Sequence, residues 1–149
     1  MTNSIPLRLA EIIENFQLCV GREKFELLIQ YAENFPPLPD WLKDQRGNME
    51  PVPECMSPVF VQARIESGHM QFFFDVPAES PTVRGFAAIL GEGLRGATPE
   101  EVLRVPNDFY QKMGLHELLT QQRLNGISAI LAHMKQFAVA AIAQEKQSD

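Results

Sequence analysis

One cysteine in this chain sits where a second molecule could reach it. In "PVPECMSPVF", Pro51 to Phe60, Cys55 follows Glu54, lies between Pro53 and Pro58, and precedes a strand-like run. Proline fixes φ and removes a backbone donor, so the segment reads as a stiffened tip outside any regular ladder. The chemistry on offer is that of a nucleophilic thiol. A thiol attacks as thiolate, and Glu54 opposes a second negative charge beside it. A helper cation is needed, and the sequence places none there. The local context leaves two readings open: a reactive thiol on a tip, or a cysteine tucked under the strand end.

The remaining candidates carry less. Cys19 falls at helical spacing on an apolar face and is expected to be buried, as free cysteines commonly are. Neither cysteine belongs to a C-x-x-C pair, and "LHELL" lacks the second histidine of H-E-x-x-H, so no local metal motif is present. His69 is expected in a turn, His116 near a helix start, and His133 in solvent, off the apolar stripe of the last helix. Gly91 and Gly93 in "ILGEGLRG" follow a helical stripe and lack the preceding strand that a nucleotide loop requires.

Bulk properties narrow the function classes. The 149 residues are the size of one domain, taken as 1–149 with a core from about 7 to 142. The net charge of −6, without a basic run, argues against nucleic acid. No stretch is read as approaching the roughly 18 apolar residues of a membrane span. "MTNSIPLRLAEIIENF" shows neither signal-peptide nor transit-peptide character, so the expected location is the cytoplasm, or the plastid stroma for a plastid protein.

The elements that must hold Cys55 follow from the pattern. Leu9, Ile12, Ile13, Phe16 and then Cys19 or Val20 mark a first helix that Gly21 stops. Phe25, Leu28, Ile29 and Ala32 mark a second, ended by "FPPLPDW". "PVFVQARIESGHMQFFFDV" reads as two strands around a Ser67-Gly68 turn, and Met49 to Val52 as a third strand. Ser80-Pro81 opens a helix with Val83, Phe86, Ala87, Leu90 and Leu94 on its stripe. "TPEE" has capping-box spacing, and a short helix is expected from Asn107 to Met113. The last helix carries Leu124, Ile127, Leu131, Met134, Ala138, Ala141 and Ile142, with "QEKQSD" expected to fray. The order α-α-β-β-β-α-α-α predicts an α+β domain: a small antiparallel sheet of about three strands with helices packed on one face.

With those blocks in place, the chain resembles SufE-type cysteine desulfuration proteins, the SufE/CsdE family, over roughly Ile12 to Ala141. The resemblance rests on "PPLPDW", "VPECMSPVFV", "PTVRGFAAIL", "TPEEVL" and "LTQQRLNGI" in that order. Val52, Ser57, Val59 and Phe60 match the signature around the cysteine; Arg123, Asn125 and Gly126 match the late one. Glu54 departs from the family's usual Gly, and Glu50 from its frequent Asn. The resemblance implies a SufE/IscU-like fold and a sulfur carrier. Cys55 would take persulfide sulfur from a pyridoxal-phosphate-dependent cysteine desulfurase of the SufS or CsdA kind. The chain would stimulate that enzyme, need no cofactor of its own, and pass the sulfur to an iron–sulfur assembly scaffold. Arg123 is implied as support for Cys55 or as a partner contact. The alternatives are a scaffold that itself binds a cluster, for which two cysteines are few, and an interaction module without sulfur chemistry.

Overall fold

The computed structural model describes residues 5–147. Helices α1 (Leu7–Leu18) and α2 (Arg22–Glu33) form the expected hairpin, and a short α3 (Asp40–Lys43) follows the proline-rich loop. Strands β1 (Glu50–Pro51), β2 (Phe60–Glu66) and β3 (His69–Asp75) make one antiparallel sheet in that order. Ser67 and Gly68 both take positive φ, 53° and 82°, as a two-residue hairpin of native twist requires. Helices α4 (Pro81–Gly93), α5 (Pro99–Arg104) and α6 (Gln121–Gln147) complete the chain.

Strand alternation decides which side of the sheet the helices cover. Val61 opposite Phe74, and Phe72 two residues away, are buried toward α4 and α6. Phe60 and Phe73 point the other way and meet Leu38, Leu42 and Met49. Trp41 of α3 stands edge-on to Phe73 at 5.4 Å, and the Arg64 guanidinium lies 5.7 Å from the Trp41 ring. The long helices therefore share one face, as expected, while the loop and α3 cap the other.

Helix α4 is the hub, packed against α1, α2, α6 and β3. Phe86, Ile89 and Leu90 are fully buried on it. Its approach to α2 depends on Gly85, where a Cβ would sit 2.6 Å from the Leu28 carbonyl oxygen. The capping box of α5 forms as predicted: Glu101 N donates to Thr98 Oγ1 at 3.2 Å, and Thr98 N donates to Glu101 Oε1 at 2.8 Å.

Five expectations are corrected. Helix α1 ends at Leu18, so Cys19 is a half-buried cap residue rather than a core side chain, and Val20 is exposed. Phe25, placed on the apolar face of α2, is exposed, and Leu28 and Ala32 carry the burial. The helix expected from Asn107 to Met113 shrinks to a 3-10 turn, Phe109–Gln111, before Gly114 in the left-handed region. The end expected to fray is helical to Gln147, and residues 148–149 lie outside the described ones. Helix α6 is also long and apolar enough, by length and composition alone, to cross a membrane, contrary to the expectation that no stretch comes near. Its alanines raise its hydropathy, and Leu124, Ile127, Ile130, Leu131 and Met134 are packed into the core.

Gly85→Ala should destabilise the protein by about 1–3 kcal/mol, since a backbone oxygen cannot yield as a side chain would. Urea unfolding against wild type measures it; equal midpoints would contradict the close approach.

Candidate functional site

The Cys55 loop is a short arch between β1 and β2. Its feet are the buried Val52 and Val59, joined by Val52 N donating to Val59 O at 2.9 Å. Cys55 N donates back to Val52 O at 3.2 Å, so the arch turns tightly just before the thiol. Pro53 and Pro58 stand exposed on its flanks, where their missing donors leave no gap in the ladder. Met56 at the tip is 81% exposed.

Cys55 itself is half-buried and points inward. Its Sγ donates to the carbonyl of Gly126 on α6 at 3.4 Å. A Cβ on Gly126 would lie 3.1 Å from Sγ and 3.6 Å from the Cys55 Cα, so only glycine lets the loop settle this closely on the helix. Two further ties converge here. Ser57 Oγ and Ser80 Oγ are 2.5 Å apart, which joins the loop to the start of α4, and Ser80 spends no side-chain bond on capping its own helix. Arg123 Nη1 donates to Thr82 Oγ1 at 3.0 Å, which joins the start of α6 to the same place. Thr82 is 3% exposed, and the guanidinium gives its hydroxyl a partner. Arg123 thus lies one turn before Gly126, and its bonded partner is Thr82 rather than Cys55.

His133 is corrected from solvent to site. Its side chain is 13% exposed and sits two turns beyond Gly126, on the same face of α6. Nδ1 bonds Glu50 of β1, and Nε2 meets Glu54 Oε1 at 3.1 Å. The group that pairs with Glu54 is therefore this ring, reached across the fold. The seven-residue spacing from Gly126 was the signal in the sequence, legible only once Gly126 is known to face Cys55. Glu50 and Glu54, the two glutamates that the resemblance marks as departures, are the two that hold this histidine. His69 bonds the Gly96 carbonyl at 2.8 Å on the far hairpin, and His116 is exposed; neither joins the site.

The electrostatics favour a protonated thiol. Burial, and secondarily the charge of Glu54, pushes Cys55 up to about 11. About one molecule in ten thousand then carries the thiolate at pH 7. Glu54 is held below the usual carboxylate range by its backbone bond and by His133. Burial disfavours the charged His133 ring, but the bonds and charges of Glu50 and Glu54 outweigh it and raise its pKa.

A cavity of about 860 Å³ lies elsewhere, between α2, α4, β3 and the proline-rich loop, and none of these site residues lines it. Among the described residues no group of three or more His, Cys, Asp or Glu is arranged to hold a metal ion. What the arrangement offers is one thiol, shielded and neutral, on a loop with few ties.

Gly126→Ala should press Cys55 off the helix without harming the helix, since alanine propagates it better. The thiol pKa should fall from about 11 toward the ordinary value of about 8.5. Alkylation by iodoacetamide as a function of pH reads it, and an unmoved pKa would show that the contact does not set the thiol's burial.

The SufE family, described as "Fe-S metabolism associated domain", matches residues 10–138. An uncharacterised SufE-like protein of Mycobacterium tuberculosis is 42% identical over 133 residues, covering 89% of this chain and 92% of that one. The sulfur acceptor protein CsdE of Escherichia coli is 31% identical over 110 residues, covering 72% and 71%. The solution structure of a hypothetical protein from Thermus thermophilus superposes with a TM-score of 0.82 at 37% identity, covering 93% of this chain and 98% of the other. A three-stranded antiparallel sheet under helices, a cysteine on the arch between its first two strands, and a family match over most of the length lead to one conclusion: the chain belongs to the SufE family.

Proposed function

We propose that the chain is a sulfur acceptor of iron–sulfur metabolism, with Cys55 as the accepting atom. The observation that carries this is the placement of Cys55 on a proline-flanked arch that is tied down by Sγ to Gly126 and Ser57 to Ser80. The donor is a persulfide on a pyridoxal-phosphate-dependent cysteine desulfurase, and that cofactor stays with the donor. The Cys55 thiolate attacks the outer sulfur of the donor's persulfide. A new S–S bond forms at Cys55, the donor's S–S bond breaks, and the proton given up by the Cys55 thiol ends on the donor's leaving thiolate. No net oxidation occurs, as in any thiol–disulfide exchange. Delivery to an iron–sulfur assembly scaffold repeats the exchange with Cys55 as donor.

The neutral resting thiol suits a carrier that must not spend its nucleophile on other partners. The thiol is activated when docking lifts it from Gly126 and away from low-dielectric surroundings. Cys19, half-buried at the end of α1, and Cys55 are both free thiols, so Cys55 is not spent in a disulfide with Cys19. Arg123 belongs to the docking surface in this account: it is exposed, and its guanidinium bond to Thr82 holds the start of α4 and α6 together beneath the loop.

Cys55→Ser should abolish stimulation of a desulfurase, read as alanine formed per minute from cysteine, and leave the circular dichroism spectrum unchanged. Full stimulation by that variant would overturn the assignment. Cys19→Ala should keep stimulation intact and, at a half-exposed site, cost less than about 1 kcal/mol of stability. Arg123→Ala should weaken transfer at least several-fold, whereas unchanged affinity and rate would remove Arg123 from the docking surface.

A further inference from the structure

We propose that His133 is a positioning residue for Cys55: its ring clasps Glu54, the neighbour of Cys55, to Glu50 at the foot of the arch, and so holds the thiol down on Gly126. The proposal rests on Cys55 being the working thiol, but its geometry stands by itself. Among the described residues the arch has three side-chain ties to the body beyond its feet: Cys55 to Gly126, Ser57 to Ser80, and Glu54 to His133. The third binds the residue adjacent to the thiol, and it does so from a side chain that is 13% exposed.

Both ring nitrogens face carboxylates. An ionised carboxylate only accepts hydrogen bonds, and a neutral imidazole has a single N–H. The two bonds can coexist only while the ring is an imidazolium. Loss of its proton turns one nitrogen into an acceptor aimed at a carboxylate, and one arm of the clasp opens. The other charged groups near α6 are occupied or give this ring no bond. On β2, Arg64 and Glu66 pair with each other at 3.3 Å. On α4, Arg84 donates to the carbonyls of Ala32 and Val76, and Glu92 makes no bond to the ring. On α5, Glu101 caps its own helix, while Glu100 and Arg104 are exposed without a bond to His133. On α6 itself, Lys135 donates to Asn107 at 2.9 Å, and the residues one turn either side of His133 are uncharged. Glu50 and Glu54 are thus the two charges that face it.

The sign follows. A group whose folded pKa is raised keeps its contribution at low pH and loses it as pH rises through that folded value. The raised pKa of His133 places the opening above the ordinary histidine value of about 6.5. The lowered pKa of Glu54 keeps that arm of the clasp ionised to lower pH than an ordinary carboxylate. Between these limits the arch is held; above the upper one it loosens and Cys55 becomes more reactive than its own ionisation explains.

The test follows alkylation of Cys55 by iodoacetamide from about pH 6 to 9 in the full chain carrying Cys19→Ala, which leaves one thiol. Well below the thiol pKa, ionisation alone raises the rate tenfold per pH unit. With His133 present the rise should be steeper than that through the histidine titration, by a total excess of at least about fivefold. His133→Ala should alkylate at least about fivefold faster near pH 6.5 and rise at the plain tenfold per unit, so that the two profiles converge at high pH. His133→Gln serves if the alanine variant fails to fold, because an amide carries donors but no titration; its profile should also lack the excess. Parallel profiles with and without His133, whether superposed or offset by a constant factor, would overturn the proposal, since a merely structural role shifts the rate equally at every pH. The assay uses free protein and a small reagent, so it stays decisive even if Cys55→Ser leaves desulfurase stimulation untouched.

Discussion

The contact on which the site depends is the seating of the Cys55 arch on helix α6 at Gly126. At 3.4 Å from the Gly126 carbonyl, the thiol has traded water for a helix backbone, and the missing Cβ of Gly126 is what allows it. For that contact to exist, α6 must lie flush under the arch. It does so because it packs on β2, α4 and α5 along one apolar stripe. The arch must in turn leave the sheet at the right height, which the buried Val52 and Val59 fix between them. The helices and the sheet can be read as a device for presenting one carbonyl to one sulfur.

The same seating sets the chemistry. A half-buried thiol beside a carboxylate resists ionisation, and its pKa of about 11 makes the resting protein a poor nucleophile. A good attacking thiol has a pKa near ambient pH, so reactivity must come from movement of the arch rather than from its resting environment. Glu54 reinforces the resting state in two ways. Its charge opposes the thiolate, and its bond to His133 keeps the arch in place. Glu54 therefore puts an electrostatic tie where the resemblance implies a flexible glycine.

Much of this was legible in the sequence and some was not, for identifiable reasons. Local chemistry was readable: the Ser67-Gly68 turn, the Thr98 to Glu101 capping box and the alternation of Val61, Phe72 and Phe74 all follow from residues near each other in the chain. Cys55 and Arg123 read as candidates and Asn125-Gly126 as part of the late signature, but the meeting of Cys55 with Gly126 is not derivable, because 71 positions separate them. His133 reads as solvated because it lies off the widest apolar stripe of its helix, and its two carboxylate partners come from 79 and 83 positions away. Cys19 reads as core only because the helical period continues one residue past the point where the helix itself ends. Periodicity locates faces; it does not say which faces meet, and the site is made where they meet.

The most direct test of the central claim is mass spectrometry of the chain after incubation with a pyridoxal-phosphate cysteine desulfurase and cysteine, trapped by alkylation and digested. The account predicts one added sulfur atom on the peptide that carries Cys55 and none on the peptide that carries Cys19. An unmodified Cys55 in a reaction that has turned over, or sulfur found on Cys19 instead, would contradict it.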